Sequence, residues 1–189
     1  MTTSVVIAIA LALLVFWSLG AYKRLVRLRL DMLKALERLA RHWYDQAQAL
    51  RKELAHLSQS PETDSVWASL GDDAVHWRPL GLAAKQLQAC LVGVLNKSMQ
   101  QPAVDDMASV RAAYAVMTEA WQRLQSQSDD LAGPAVPQSL TLQWQQQYTI
   151  GQERQRDYNS LALEYNRAVG QFPAILLAWL LRFNMAQTF

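Results

Sequence analysis

The sequence predicts an all-α protein in which an N-terminal transmembrane helix continues into an antiparallel, up-and-down four-helix bundle. Three observations support this fold class. The 189 residues include only 7 Gly and 6 Pro. Apolar residues recur at spacings of three and four, which is the period of an amphipathic helix. No charged side chain precedes Lys23, so the chain begins with an uninterrupted apolar stretch.

We expect residues 1–22 to form a transmembrane anchor. The eighteen residues from Val5 to Tyr22 carry no charge, and as a helix they would be about 27 Å long, close to the hydrocarbon thickness of a bilayer. A cleaved signal peptide is the alternative, but it would carry positive charge before its apolar run. Because the first basic residue is Lys23, the sequence favours a retained anchor.

Basic residues follow the anchor directly and predict its orientation. Residues 23–42 hold seven Lys or Arg against two acidic residues. By the positive-inside rule, the N-terminus faces out and residues 23–189 form a cytoplasmic bundle. Beside a membrane span, anionic lipid explains such charge better than nucleic acid does, so no nucleic-acid partner is expected. The expected interfacial residues are Trp17, Tyr22, Lys23, Arg24, Arg27 and Arg29.

The rest of the chain reads as four helices joined by short connections. The predicted elements are helices at about residues 23–57, 80–99, 105–130 and 140–171, and an apolar C-terminal tail at 174–183. No Gly or Pro interrupts residues 22–57, so we expect the anchor and the first helix to be continuous. Pro61, Gly71 and Pro79 place a connector at 58–79. The tail is too short to span a membrane, and it either lies in the interface or closes the end of the bundle.

The last helix carries an aromatic residue at every seventh position, namely Tyr158, Tyr165 and Phe172. Seven residues are two helical turns, so these rings share one stripe of the helix. We expect the stripe to be structural core, with large rings packed against small residues of neighbouring helices. Asn159 and Asn166 lie one step off the stripe, where a side-chain amide bridges to an adjacent helix or faces water.

No catalytic, cofactor-binding or metal-binding constellation is recognisable. His42, His56 and His76 have no partner at metal-ligand spacing, and the single cysteine, Cys90, is expected to be a buried thiol. The sequence contains no phosphate-binding glycine loop, no nucleophile elbow and no HExxH motif. We therefore expect neither an enzyme nor a resident cofactor.

Two regions resemble the LemA family. The run YNSLALEYNRAVGQFP is similar to that family's C-terminal signature, which falls here on Tyr158, Asn159, Tyr165, Asn166, Phe172 and Pro173. An N-terminal transmembrane helix followed by YKRLVRLR resembles the family's entry into its first long helix. The chain lacks the family's usual Pro in the first helix and the YP element before the last one. The resemblance implies a divergent, single-pass protein of the bacterial inner membrane with a helical bundle and no established enzymatic activity.

The resulting hypothesis is a non-enzymatic membrane-anchored scaffold or adaptor that recruits a protein partner or assembles with itself. The family is associated with membrane organisation, membrane-bound peptidases and signalling, and one divergent branch with magnetosome membranes. An accessory subunit of such a complex, or a specialised intracellular membrane, is therefore an alternative. A sensor that binds a small apolar or lipid ligand is another, although such a ligand is less expected. That ligand would lie among the rings of Trp144, Tyr148, Tyr158 and Tyr165.

Overall fold

A computed structural model of the protein describes residues 2–57, 74–97, 100–126, 136–172 and 174–189. Five helices occur in these ranges: α1 (Thr2–Leu57), α2 (Ala74–Leu95), α3 (Val104–Ser126), α4 (Gln138–Gly170) and α5 (Ala174–Leu180). No strand occurs in this part of the chain. The all-α prediction is confirmed.

Helix α1 is continuous over 56 residues, as the absence of helix-breaking residues predicts. Its N-terminal part contains an eighteen-residue window with a mean hydropathy of 2.4, none of which is buried. This is the one helix in the described residues that is long and apolar enough to cross a membrane.

Helix α2 begins at Ala74, earlier than the predicted start at residue 80. Pro79 therefore lies inside α2 instead of in a connector. It occupies the second helical turn, where the missing N–H removes one intrahelical hydrogen bond close to the helix end. Trp77 and Leu80 are buried on either side of it, and this burial holds the turn helical. Trp67 and the predicted helix ends at residues 99 and 130 lie outside the described residues.

The chain divides into two compact units. Unit 1 comprises Met1–Leu36 and Arg156–Phe189, and unit 2 comprises Glu37–Gln155. Helices α1 and α4 each contribute residues to both units.

Stacked aromatic rings form the core of unit 2, where α2 also packs against α3. The ring centroids of Trp43 and Tyr114 are 4.2 Å apart, and those of Trp121 and Trp144 are 4.5 Å apart. A Cβ atom added at Gly151 would lie 3.2 Å from Nε1 of Trp43. Here a large ring of α1 lies against a small residue of α4.

His42 is a buried histidine in the same core. Its Nε2 atom lies 2.9 Å from the carbonyl oxygen of Gln147, and because a carbonyl only accepts, Nε2 carries the proton. Burial lowers the pKa of His42 and the Arg154 charge lowers it further, while the Gln147 hydrogen bond and Asp45 oppose the shift. The folded protein therefore holds this imidazole neutral.

We predict that the free energy of unfolding falls as the pH is lowered through about 6.5, the usual histidine pKa. Below that pH the unfolded chain binds a proton that folded His42 does not bind, so stability increases with pH across this window. Chemical denaturation of the full chain in detergent micelles at a series of pH values measures the effect. His42→Gln should flatten the dependence, whereas His56→Gln on the same helix should leave it in place. An unchanged slope in His42→Gln would assign the effect to other groups.

Gln46 lies one helical turn from His42 and is only 4% exposed. Neither its Nε2 nor its Oε1 atom has a hydrogen-bond partner among the described residues. A buried amide without partners costs free energy, because it gives up its bonds to water and gains nothing in exchange.

We predict that Gln46→Leu raises the free energy of unfolding by ~1–2 kcal/mol, because it removes this desolvation cost at similar side-chain volume. Gln88→Leu is the matched control. Gln88 is also buried, but its Oε1 accepts a hydrogen bond from Nη1 of Arg51, so the same substitution there should destabilise. Denaturant titration of both variants makes the comparison. A loss of stability in Gln46→Leu would mean that the Gln46 amide is hydrogen-bonded in solution.

Candidate functional site

The two Tyr-Asn pairs of α4 bind the C-terminal segment, residues 183–189, which follows α5 and is not helical. We call Tyr158, Asn159, Tyr165 and Asn166 the tyrosine–asparagine ladder. Both tyrosine rings are buried, and both asparagines are half-buried. All contacts of the ladder described below lie within unit 1.

Each asparagine pairs with both main-chain groups of one residue in the segment. Asn166 Nδ2 donates to the carbonyl oxygen of Ala186 at 2.9 Å, and the Ala186 N–H donates to Asn166 Oδ1 at 2.7 Å. Asn159 makes the same pair with Phe189, at 3.1 Å to its carbonyl oxygen and 2.9 Å from its N–H. The side-chain amide thus acts as a neighbouring β-strand would, satisfying a donor and an acceptor together.

The tyrosine hydroxyls bond to two other main-chain carbonyls of the segment. Tyr165 donates to the carbonyl oxygen of Asn184 at 3.0 Å, and Tyr158 donates to that of Gln187. Burial raises the pKa of Tyr165, with Arg29 opposing the shift, so this hydroxyl remains a neutral donor. These six hydrogen bonds connect four side chains of α4 to the main chain of the segment.

The spacing of the ladder matches the repeat of an extended chain. Asn159 and Asn166 are seven residues apart, which is about 10.5 Å along a helix. Their partners Phe189 and Ala186 are three residues apart, which is about 10 Å in an extended chain. The two tyrosine partners, Asn184 and Gln187, are also three residues apart. The segment therefore runs extended and antiparallel to α4, with two helical turns matched to three of its residues.

Ring contacts hold both ends of the segment. Phe189 packs edge-on against Tyr158, with ring centroids 5.5 Å apart. Phe183 contacts Tyr22 of α1 at 6.4 Å between centroids, and the guanidinium of Arg29 lies 5.7 Å from the centre of the Phe183 ring. These contacts tie α1 to the segment within unit 1.

A left-handed residue directs the chain from α5 into the segment. Arg182 has a φ of 54°, and the Phe183 N–H donates to the Ala178 carbonyl at 2.9 Å. This is the hydrogen-bonding pattern of a Schellman C-cap, in which the left-handed position is usually Gly. The turn positions Phe183 for its contacts with α1.

Chemically, the ladder is a recognition surface for extended main chain. Its polar groups are neutral amides and hydroxyls, and all six bonds go to main-chain atoms. Nothing in this set is a nucleophile activated by a base or a pair of carboxylates. The arrangement can bind an extended peptide, which in this structure is the chain's own C-terminal segment.

Four of the six residues in the sequence signature come together in this ladder. Phe172, the third ring of the stripe, is not part of the ladder. It was expected in the core, and this expectation is wrong, because the residue is 81% exposed. Pro173 lies outside the described residues. Asn159 and Asn166 bind the C-terminal segment, whereas the sequence predicted an adjacent helix or water as their partner. The sequence feature that could have indicated this partner is the repeat of the Tyr-Asn pair. Two such pairs at a fixed spacing favour a partner whose hydrogen-bonding groups recur at a matching distance.

The expected interfacial residues are mostly accessible. Trp17 and Tyr22 are partly exposed, at 40% and 43%. Lys23, Arg24 and Arg27 are exposed, and Arg29 is half-buried against Phe183. Trp17 and Tyr22 lie in the C-terminal part of the uncharged stretch of α1, and the basic side chains come directly after it.

The four rings of the ligand-binding alternative are largely occupied by protein contacts. Trp144 stacks on Trp121, Tyr158 packs on Phe189, and Tyr165 is buried beneath the segment. Tyr148 is the exception, with 36% of its surface exposed. These contacts give no support to a ligand groove among the four rings.

Comparison with protein families, with curated proteins and with solved structures finds no match to this chain. Among the described residues, no group of three or more His, Cys, Asp or Glu side chains is placed to hold a metal ion. Cys90 is half-buried. The geometry of the ladder and the apolar surface of unit 1 are therefore the features that bear on function.

We predict that Asn166→Ala raises the hydrogen-exchange rate of the Ala186 amide by about tenfold or more, because that N–H loses its acceptor. Asn159→Ala should act in the same way on the Phe189 amide. Asn166→Asp should have a smaller effect on Ala186, since a carboxylate still accepts from the N–H but repels the carbonyl oxygen. Mass-spectrometric exchange on the full chain, with fragmentation to single amides, makes the measurement.

Glu164→Ala, an exposed change on the same helix, controls for altered helix propensity and should leave both amides protected. If Asn166→Ala and Asn159→Ala leave the segment as protected as the control does, the ladder does not hold it in solution.

Proposed function

We propose that this protein is a non-enzymatic, membrane-anchored helical scaffold or adaptor of the LemA type, which organises or recruits partners at the bacterial inner membrane. The observation that carries the proposal is the exposure of the apolar N-terminal part of α1. Every large apolar side chain described from Val5 to Phe16 is at least 56% exposed. A continuous uncharged helical surface of this length is stable when lipid covers it.

A second apolar surface in unit 1 supports the same function. Helix α5 buries only Ala178, while Leu176, Trp179 and Leu180 are 60%, 82% and 68% exposed. A short helix with exposed leucines and a tryptophan has the composition of an interfacial element. Of the two alternatives for the C-terminal tail, this exposure favours contact with the membrane interface.

The bundle arrangement proposed for this scaffold is antiparallel. Within unit 2, His42 of α1 bonds to Gln147 of α4, and Arg154 of α4 donates to the carbonyl oxygen of Arg38. Numbers rise along α1 while they fall along α4, which supports opposite directions for these two helices. An antiparallel bundle presents several helix faces to partners on a rigid frame.

The proposed orientation puts the N-terminus outside and the bundle in the cytoplasm. Its support is the basic cluster after the apolar stretch, from Lys23 to Arg29, together with the absence of Lys and Arg before it. A specialised intracellular membrane would present the same cytoplasmic face.

The test places a photo-crosslinking amino acid at Arg167 in the full chain, in bacterial membranes. Arg167 is exposed and adjacent to Asn166. Val116, exposed on α3, is the control position in unit 2. We expect a recurrent foreign membrane protein, which identifies an adaptor, or copies of the chain itself, which identify a scaffold.

Two outcomes would overturn this proposal. Complete release of the chain from membranes by alkaline carbonate would show that residues 1–22 are not a transmembrane anchor. Turnover of a substrate by the purified protein would remove the non-enzymatic assignment. If the foreign protein is a peptidase or a signalling receptor, the chain is an accessory subunit of that complex.

A further inference from the structure

We propose that a cleft in unit 1 binds one anionic phospholipid, with an acyl chain between α1 and the end of α4 and the phosphate at Arg24. The inference rests on the membrane anchoring proposed above and adds a specific lipid site to it. It also relocates the apolar-ligand hypothesis from the buried rings to the surface of α1.

The cleft has a volume of about 690 Å³, within the range of small-molecule sites. Its α1 wall is formed by Leu13, Phe16, Trp17 and Gly20, and its opposite wall includes Phe172 and Ala174. Phe16 and Phe172 are 78% and 81% exposed, so the cleft is open on one side. Its lining is that of a hydrocarbon site, since aromatic and aliphatic side chains dominate it.

One charged residue lines this cleft, and it is Arg24. Its side chain is exposed and forms no ion pair with any described residue. Lys23 and Arg27 lie close to it in sequence and add positive potential. A phosphate is complementary to such a guanidinium, which forms charge-assisted hydrogen bonds with it.

The distance between the apolar wall and the charge matches one lipid leaflet. Leu13 and Arg24 are eleven residues apart, which is about 16 Å along a helix and about half the hydrocarbon thickness of a bilayer. An acyl chain that reaches Leu13 therefore has its headgroup at Arg24. A free apolar metabolite would not need this separation, and for that reason we assign a phospholipid.

The cleft is also exposed on the side where α5 begins, as it is along its α1 wall. Ala174, the first residue of α5, lines the cleft, and the exposed Trp179 and Leu180 follow it. The apolar surface thus continues from the α1 wall onto α5. A bilayer that covers α1 also covers this side, and so delivers the lipid directly to the cleft.

Gly20 provides a way to block the cleft without disturbing the core. A Cβ atom added there meets nothing within 4 Å, so a larger side chain extends into open space. Gly93 on α2 is also exposed, with nothing near its added Cβ, and it does not line the cleft. Gly20→Leu and Gly93→Leu are therefore a matched pair with the same change in helix propensity.

The experiment uses the full chain in phosphatidylcholine vesicles with a minor fraction of phosphatidylglycerol that carries a diazirine on one acyl chain. After irradiation, labelled residues are mapped by mass spectrometry. We expect labels to concentrate on Phe16 and Phe172 over Val15 and Leu19, which lie on the other side of α1 by the ~100° rotation per helical residue. Gly20→Leu should lower labelling of Phe172 by about tenfold, and Gly93→Leu should not change it.

Arg24 is tested with a second matched pair. Arg24→Gln should lower labelling by the phosphatidylglycerol probe by about fivefold, the loss expected for one basic residue at an anionic surface. Arg27→Gln removes the same charge outside the cleft and should have a smaller effect. Equal effects of the two variants would show general attraction to the surface and overturn the Arg24 site.

Flotation of the vesicles separates the two proposals. If the wild-type chain does not float with the vesicles, the membrane anchoring itself fails. If the chain floats but labels Val15 and Leu19 as strongly as Phe16 and Phe172, and Gly20→Leu labels as wild type does, only the lipid site fails.

Discussion

The pairing of two asparagine side chains with the main chain of the C-terminal segment is the constraint on which unit 1 depends. A non-helical segment brings unpaired N–H and C=O groups against a helix whose own main chain is already fully used. Asn166 and Asn159 resolve this at Ala186 and Phe189, because an amide side chain offers one donor and one acceptor. The half-buried rings of Phe183 and Phe189 can pack at the two ends of the segment because the polar groups between them are satisfied.

Register makes that pairing favourable. Ordering a segment costs ~1–2 kcal/mol per residue, which is similar in size to the net gain of ~0.5–1.5 kcal/mol from each hydrogen bond. A single bond would therefore leave the segment free. Six bonds whose helical and extended repeats coincide, together with the buried Ala186 and the ring contacts at both ends, hold it against α4.

The two units handle apolar surface differently. Unit 2 buries Trp43, Trp121 and Trp144 in two stacked ring pairs, and it also holds the polar residues His42 and Gln46 inside its core. In unit 1, α1 and α5 present apolar side chains outward. Exposed apolar area of this kind on two helices of one unit indicates a surface that binds a membrane or another molecule. The proposed anchoring and the proposed lipid cleft are two consequences of this same surface.

Local pattern was enough to establish the helices. The period of apolar residues and the scarcity of Gly and Pro determined the all-α class, the continuity of α1 and its membrane-spanning candidate, since each depends on residues a few positions apart. The seven-residue repeat also showed that Tyr158 and Tyr165 share one face of α4. Pro79 shows the limit of local rules. They predict a connector at this residue, but burial of Trp77 and Leu80 keeps Pro79 inside α2.

Only the tertiary structure decided what the ladder binds. Asn166 and Ala186 are 20 residues apart, and Asn159 and Phe189 are 30 apart, with α5 and a left-handed turn at Arg182 between them. The segment FNMAQTF has no apolar period of its own, so nothing in its sequence announces a partner. Its main chain supplies the contacts, and main-chain groups are the same at every residue. The sequence therefore shows which side chains can bind a main chain, but only the fold determines which segment of the chain they bind.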